Sequence, residues 1–164
     1  MSLITPQSPQ TAVIRSVDAE VVLGPPATGR LLLDSSSTGG ALSSVRMTLG
    51  EGADGATPHH HTSASELFYV LGGRLQVLAG EEVLTLDEGD MAVVPPNVAH
   101  AFGAAPGSEA DLLIVVTPGI ERFDYFRLLA RLQKGEATLE ELLDSQELYD
   151  NHFVDSPKWK QTRG

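Results

Sequence analysis

Short apolar runs, separated by glycine- and proline-containing breaks, fill the chain between residues 12 and 118. The breaks recur at the spacing of roughly eight to twelve residues that is typical of short strands joined by turns. This pattern predicts an all-β fold, an antiparallel sandwich or barrel. The predicted strands include residues 21–23, 31–33, 45–49, 67–71, 75–78, 83–86, 91–94 and 112–116.

The pattern changes after Pro118. Residues 122–134 place Phe123, Phe126, Leu129 and Ala130 at helical spacing, and Gly135 supplies a stop. A second helix is predicted from Thr138, where the sequence matches a capping box, with an apolar stripe of Leu139, Leu142, Leu143 and Leu148. We expect the aromatic stripe of the first helix, with Phe123 and Phe126, to pack against the barrel. Alternatively, the extension closes the barrel mouth or covers a partner subunit. The predicted division is an arm (1–10), a barrel (11–118) and a helical extension (119–164).

Length, charge and composition limit the classes of function that the protein can have. A chain of 164 residues suggests one domain, and its net charge of −11 would repel nucleic acid and anionic membranes. The N-terminus lacks the basic start and long apolar core of a secretory leader, and no apolar run is long enough to cross a membrane, so we expect a cytoplasmic protein. The sequence has no cysteine, which leaves imidazole and carboxylate as metal ligands.

Four residues stand out as candidate ligands of one metal ion. His59 and His61 are two residues apart and would share one face of a strand, Glu66 opens the next apolar run, and His100 follows a Pro-Pro-Asn turn. Three imidazoles and one carboxylate from separate segments can together hold a divalent cation. By the same alternation His60 should point away, as a bystander. No inward lysine or arginine is predicted beside the metal.

Strand phase also predicts the residues around the metal. Phe68 and Val70 share the face of Glu66, and Phe102 shares that of His100. On the strand 45–49 the inward row would be Val45, Met47 and Leu49, unless a one-residue slip reverses it. We therefore expect the substrate pocket to include Met47, Phe68, Val70 and Phe102, with plain barrel core as the alternative.

The two histidine motifs resemble those of the cupin superfamily, in its small single-domain bacterial form. The segments His59-x-His61-x4-Glu66-x6-Gly73 and Gly89-x5-Pro95-x-Asn97-x2-His100 carry the resemblance. Departures are Ala53 where a glycine is expected, Asn97 in place of a later glycine and Ala104 in place of a terminal asparagine. Asn97 tolerates a left-handed backbone, which preserves the turn. The resemblance implies a double-stranded β-helix, or jelly-roll, barrel, a metal held by His59, His61, Glu66 and His100, and a homodimer.

The expected function is that of a metal-dependent enzyme with a small-molecule substrate. The ligand set suits Fe(II), Mn(II) or Ni(II), with Zn(II) or Co(II) as further options. A dioxygenase-type oxidoreductase acting on a small aromatic or phenolic metabolite is the leading hypothesis, and Glu66 is its candidate base, as in oxygenase-type cupins. The alternatives are a non-catalytic binding protein and a zinc-dependent isomerase or cyclase, because this barrel supports many chemistries.

Overall fold

Most strands lie between the glycine- and proline-containing breaks of the sequence. The computed structural model describes residues 10–164, so residues 1–9 of the predicted arm lie outside the described residues. Within the described range there are ten strands: β1 (Glu20–Val22), β2 (Ala27–Leu33), β3 (Ser43–Leu49), β4 (Asp54–His60), β5 (Ser65–Ala79), β6 (Glu82–Asp87), β7 (Met91–Val94), β8 (His100–Ala104), β9 (Ala110–Thr117) and β10 (His152–Phe153).

Strand β5 belongs to both walls of the barrel. Its first half pairs with β7 and β9, and its second half pairs with β6 and β8. The sequence predicted two strands broken at Gly72-Gly73, and this was wrong. The register against β9 shifts between Val70 and Gly72, and Gly73 has a φ of 71°, so the glycines bend one continuous strand instead of ending it.

The barrel interior is apolar. One wall has the order β1-β2-β3-β9-β5 with β7, and the other contains β5, β8, β4 and β10 with β6. The predicted alternation along β3 is confirmed, since Val45, Met47 and Leu49 are buried while Arg46 and Thr48 are partly exposed. Both walls contribute to one core cluster that includes Leu31, Phe68, Val70, Leu75, Val77 and Leu112.

Four short helices lie in the C-terminal extension: α1 (Phe123–Gln133), α2 (Leu139–Asp144), α3 (Gln146–Tyr149) and α4 (Pro157–Arg163). The two predicted helices are present, and the capping box at the start of α2 forms between Thr138 and Glu141. The predicted leucine stripe is wrong. Only Leu142 is buried, whereas Leu139, Leu143 and Leu148 are exposed, because the short helices α2 and α3 do not present one continuous face to the barrel.

The extension wraps around the barrel. Side chains of α1, including Phe123 and Phe126, pack against the barrel core. Strand β10 then pairs with the edge of β4, and Trp159 of α4 packs on Leu78 and Ala101 outside the second wall. None of the helices in residues 10–164 is long and apolar enough to cross a membrane.

The bend in β5 can be tested by comparing two left-handed glycines. A Cβ at Gly73 would lie 1.9 Å from the carbonyl oxygen of Glu109, whereas one at Gly80, with a similar φ of 64°, would have no neighbour closer than 3.9 Å. We expect Gly80→Ala to lower the free energy of unfolding by about 1 kcal/mol through backbone strain alone. Gly73→Ala should lower it by roughly 3 kcal/mol, because strain and collision add.

Urea denaturation of both variants, measured with the same metal content, checks this expectation. Equal losses of unfolding free energy would contradict it, since they would mean that β5 moves away from Glu109 at no cost.

Candidate metal centre and its cavity

The structure brings the four predicted ligand residues together. His59 lies near the end of β4, His61 follows that strand, Glu66 lies near the start of β5, and His100 opens β8. Antiparallel pairing of β4 with β8 sets His59 opposite His100. One donor atom from each of the four residues lies within 4.8 Å of the other three, and all four residues are buried.

Each imidazole is oriented by a backbone carbonyl. Nδ1 lies 2.8 Å from the Thr57 oxygen in His59, 2.6 Å from the Asp150 oxygen in His61, and 2.9 Å from the Val98 oxygen in His100. A carbonyl oxygen can only accept, so each Nδ1 must donate. The Nε2 atoms therefore face the centre, where those of His61 and His100 lie 3.0 and 2.5 Å from Oε2 of Glu66. This is the arrangement in which metal-binding histidines are held.

Electrostatics separates the roles of the buried groups. Burial alone would raise the pKa of Glu66, but the charge and hydrogen bonds of His100 and His61 outweigh it and hold this pKa well below its usual range. Burial lowers the pKa of His59, and the charge of His100 lowers it further. Burial would also lower the pKa of His100, but the charge and hydrogen bond of Glu66 raise it overall. In the metal-free cluster the charge of Glu66 therefore favours the protonated form of His100, whereas burial favours the neutral form of His59.

The cluster has the composition of a divalent metal site. Three nitrogen donors and one carboxylate oxygen converge in a buried space, and the carboxylate has three imidazoles around it. His60 is outside this group, and its ring stacks on that of His152 with centroids 5.1 Å apart. Its predicted orientation away from the cluster agrees with the structure.

A cavity of about 250 Å³ opens beside the cluster. His59 and Glu66 form one side of it, and most of the remaining wall is apolar. The lining residues are Leu23, Met47, Gly55, Ala56, Thr57, His59, Glu66, Phe102, Ile114, Arg122, Tyr125, Phe126, Leu129, Leu142, Asn151 and Phe153.

Two of the four predicted pocket residues line this cavity. Met47 and Phe102 are on its wall, whereas Phe68 and Val70 are not. Phe68 and Val70 are fully buried in the barrel core, because the space that they face is filled by neighbouring side chains. Phe68 supports the site from behind, with its ring centroid 5.5 Å from that of Phe102 and 6.2 Å from that of His100.

The expectation that no cationic side chain points inward was wrong. Arg122, at the start of α1, is only 7% exposed and lines the cavity together with Tyr125 and Asn151. Strand phase could not find it, because it comes from the extension and not from the barrel. The sequence did contain one signal. A cation at the N-terminus of a helix interacts unfavourably with the helix dipole, so an arginine at this position indicates that its charge has another role.

A carboxylate of the barrel anchors the start of α1. Asp34 follows β2, and its two oxygens accept hydrogen bonds from the backbone N–H groups of Arg122 and Phe123, at 2.8 and 3.2 Å. These bonds satisfy amide groups that a helix leaves free at its N-terminus. The position of Arg122 in the cavity is therefore tied to the barrel.

Comparison with known proteins agrees with this fold. The model of the Cupin_2 family, described as a cupin domain, matches residues 45–117. No protein of curated function matches the sequence.

Several solved structures share the barrel. KdgF from Halomonas sp. is 21% identical with a TM-score of 0.57, over 71% of this chain and 98% of that one. A predicted oxalate decarboxylase from Thermotoga maritima is 18% identical with a TM-score of 0.57, over 64% and 97%. The FeII form of HppE is 20% identical with a TM-score of 0.55, over 65% and 60%. At these identities the likeness establishes the jelly-roll fold alone.

The raised pKa of His100 predicts that metal binding depends on pH. A metal can take Nε2 of His100 only after its proton leaves, whereas the pKa values of Glu66 and His59 are both lowered, so these groups are already deprotonated near neutral pH. We expect metal affinity to fall about tenfold per pH unit below the raised pKa of His100 and to level off above it.

Calorimetric titration of the metal-free protein with Ni(II) between about pH 6 and pH 8.5, in buffers that do not bind metal, measures this slope. An affinity that stays constant across the range would contradict the assigned protonation of His100.

Proposed function

Given that residues 45–117 form a cupin domain, we propose that this protein is a metal-dependent enzyme, a dioxygenase-type oxidoreductase that acts on a small aromatic or phenolic metabolite. The observation that carries the proposal is the position of the His59–His61–Glu66–His100 cluster on the wall of a small, largely apolar cavity. A buried cluster of this kind next to an apolar chamber is the arrangement expected of a site for a small ligand.

A divalent metal held by the cluster would supply Lewis-acid chemistry and, for a redox-active ion, electron transfer. The chain's own residues supply the remainder. Phe102, Phe126 and Phe153 provide apolar walls that suit one aromatic ring and exclude water. Glu66 is the only carboxylate on the cavity wall among residues 10–164, so we assign it the removal of a proton from a phenolic hydroxyl. Its lowered pKa makes it a weak base, so this role requires a hydroxyl that a bound metal would make more acidic.

The size of the cavity supports a small substrate. Sites for drug-sized ligands measure roughly 300 to 1,000 Å³, and this cavity has about 250 Å³. A single-ring phenol or catechol matches that volume better than a nucleotide or a multi-ring compound. The walls contributed by α1, α2 and Phe153 mean that the helical extension is part of the binding site.

Iron is our preferred metal, followed by manganese and nickel, with zinc and cobalt as alternatives. Three imidazoles and a carboxylate suit all of these ions, and the order of intrinsic affinities does not choose among them. The structural likeness to HppE in its FeII form supports iron, because that barrel holds Fe(II).

Metal content is the first test of the proposal. We expect protein purified without added metal to carry about one ion per chain. His61→Ala and Glu66→Ala should each lower metal affinity by more than the roughly 10- to 100-fold that loss of an outer partner costs. His60→Ala, which removes a neighbouring histidine outside the cluster, should keep the metal.

Elemental analysis of the four proteins measures this. Wild-type protein that holds no metal and gains no thermal stability from added Fe(II), Mn(II), Ni(II), Co(II) or Zn(II) would rule the metal site out.

Oxygen consumption tests the reaction class. With Fe(II) restored under anaerobic conditions, we expect single-ring catechols or phenols to cause oxygen uptake in the wild type, and Glu66→Ala to abolish it. A protein that contains metal and binds these compounds without consuming oxygen would contradict the dioxygenase assignment. It would favour a binding protein, or a zinc-dependent isomerase if the bound metal is zinc.

A further inference from the structure

Arg122 is a buried cation with no carboxylate at salt-bridge distance among the described residues. Its guanidinium donates to Oδ1 of Asn151 at 3.1 Å and to the Tyr149 carbonyl at 3.4 Å, and it forms no salt bridge with any residue in the range 10–164. A guanidinium has five N–H donors, so these two bonds leave donors free. A buried charge with unused donors is costly unless a counter-ion completes it.

Asn151 lies next to Arg122 with a second unused donor group. The residue is 1% exposed, and its Nδ2 forms no hydrogen bond of regular geometry among the described residues. The Tyr125 side chain is close enough to interact with Asn151, but an N–H₂ group has two hydrogens, so at least one remains free. Oδ1 of Asn151 already accepts from Arg122, which turns the amide so that its N–H₂ group holds the free donor. Buried amide donors are almost always paired in folded proteins, and Asn151 lines the cavity.

Tyr125 adds a third polar group to this part of the wall. Arg122 lies over its ring, with the guanidinium carbon 4.3 Å from the centroid. Burial raises the pKa of Tyr125, so its hydroxyl stays protonated and is able to donate. We call Arg122, Tyr125 and Asn151 the polar corner of the cavity. All three offer donors, and no carboxylate is among them.

We propose that the polar corner binds the carboxylate of the substrate, which makes the substrate a small aromatic acid. A carboxylate accepts from a guanidinium and an amide N–H₂ at once, and these bonds are stronger than bonds between neutral groups. The apolar walls then hold the ring, with its other end toward His59 and Glu66. The aromatic ring and the reaction class rest on the proposed function, whereas the carboxylate of the substrate is inferred from the polar corner alone.

Two ligands of the same shape, one with a carboxylate and one with an amide, measure the contribution of the ligand's negative charge to binding. We expect wild-type protein, as purified, to bind benzoate or 2-hydroxybenzoate about tenfold or more tightly than the matching amide, which has the same shape but no charge. Isothermal titration calorimetry at one pH and ionic strength measures the ratio. A ratio near one in the wild type would overturn the inference.

Two substitutions in the corner should remove this preference. Asn151→Asp keeps the size of the side chain and gives Arg122 an internal carboxylate partner, so the fold is retained while the site for an external anion is filled. Arg122→Met removes the charge. Arg127→Met is the matched control, because Arg127 lies on the same helix but is exposed and paired with Glu20 and Asp124. It should keep the wild-type ratio.

Arg122 is the residue before the first turn of α1, so a loss of preference in Arg122→Met could come from altered folding. The Asn151→Asp variant, checked by circular dichroism and metal content, therefore decides the question. If folded Asn151→Asp protein keeps the wild-type preference, Arg122 is only a structural link between α1 and the 149–151 segment, and the inference is wrong.

The metal itself could hold a carboxylate, and His100→Ala separates the two cases. Nδ1 of His100 bonds the Val98 carbonyl of the barrel, so this metal-depleted variant keeps the contacts of the 149–151 segment, and the preference for benzoate should remain. Loss of the preference in His100→Ala, together with its retention in Arg122→Met, would place the carboxylate on the metal. That result would overturn the inference and leave the proposed function standing. Metal-free wild-type protein that still prefers benzoate would support the polar corner as the carboxylate site.

Discussion

The structure depends on the orientation of three buried imidazoles. Each histidine of the cluster must present one nitrogen to the centre while its other nitrogen is satisfied by the protein, since an unpaired polar atom in an apolar barrel is costly. Backbone carbonyls of Thr57, Val98 and Asp150 meet this requirement. Two of these carbonyls belong to the barrel strands and turns, and the third belongs to the C-terminal extension. The extension is therefore part of the site.

Alternation along strands made much of the site predictable. Side chains of a strand alternate between two faces, so the spacing of His59 and His61 predicted that His60 lies outside the metal cluster. The same rule predicted the buried row of β3. The rule says which face a residue lies on, but not whether that face meets a cavity or packed side chains. Phe68 and Val70 therefore have the predicted phase but not the predicted place in the pocket.

The features that the sequence did not reveal depend on tertiary packing. Strand β5 continues through Gly72-Gly73 because the backbone at Glu109 packs closely against it. This contact joins residues that are distant in the sequence, so the local sequence pattern could not predict it. Arg122 and Asn151 belong to separate parts of the extension, and only the folded chain joins them. Leucines at helical spacing in 139–148 suggested a buried stripe, but two short helices with a turn between them do not keep one face.

The hydrogen bond from His61 to the Asp150 carbonyl spans 89 residues. The four side chains of the cluster all lie within the segment 59–100, so they are synthesised before residue 150 is added. During synthesis a nascent chain thus has every donor atom before it has the carbonyl that fixes the tautomer of His61. The same order of synthesis places the four donor atoms in the chain before Asn151 and Phe153, so the residues of the cavity wall are complete only once residue 153 has been added.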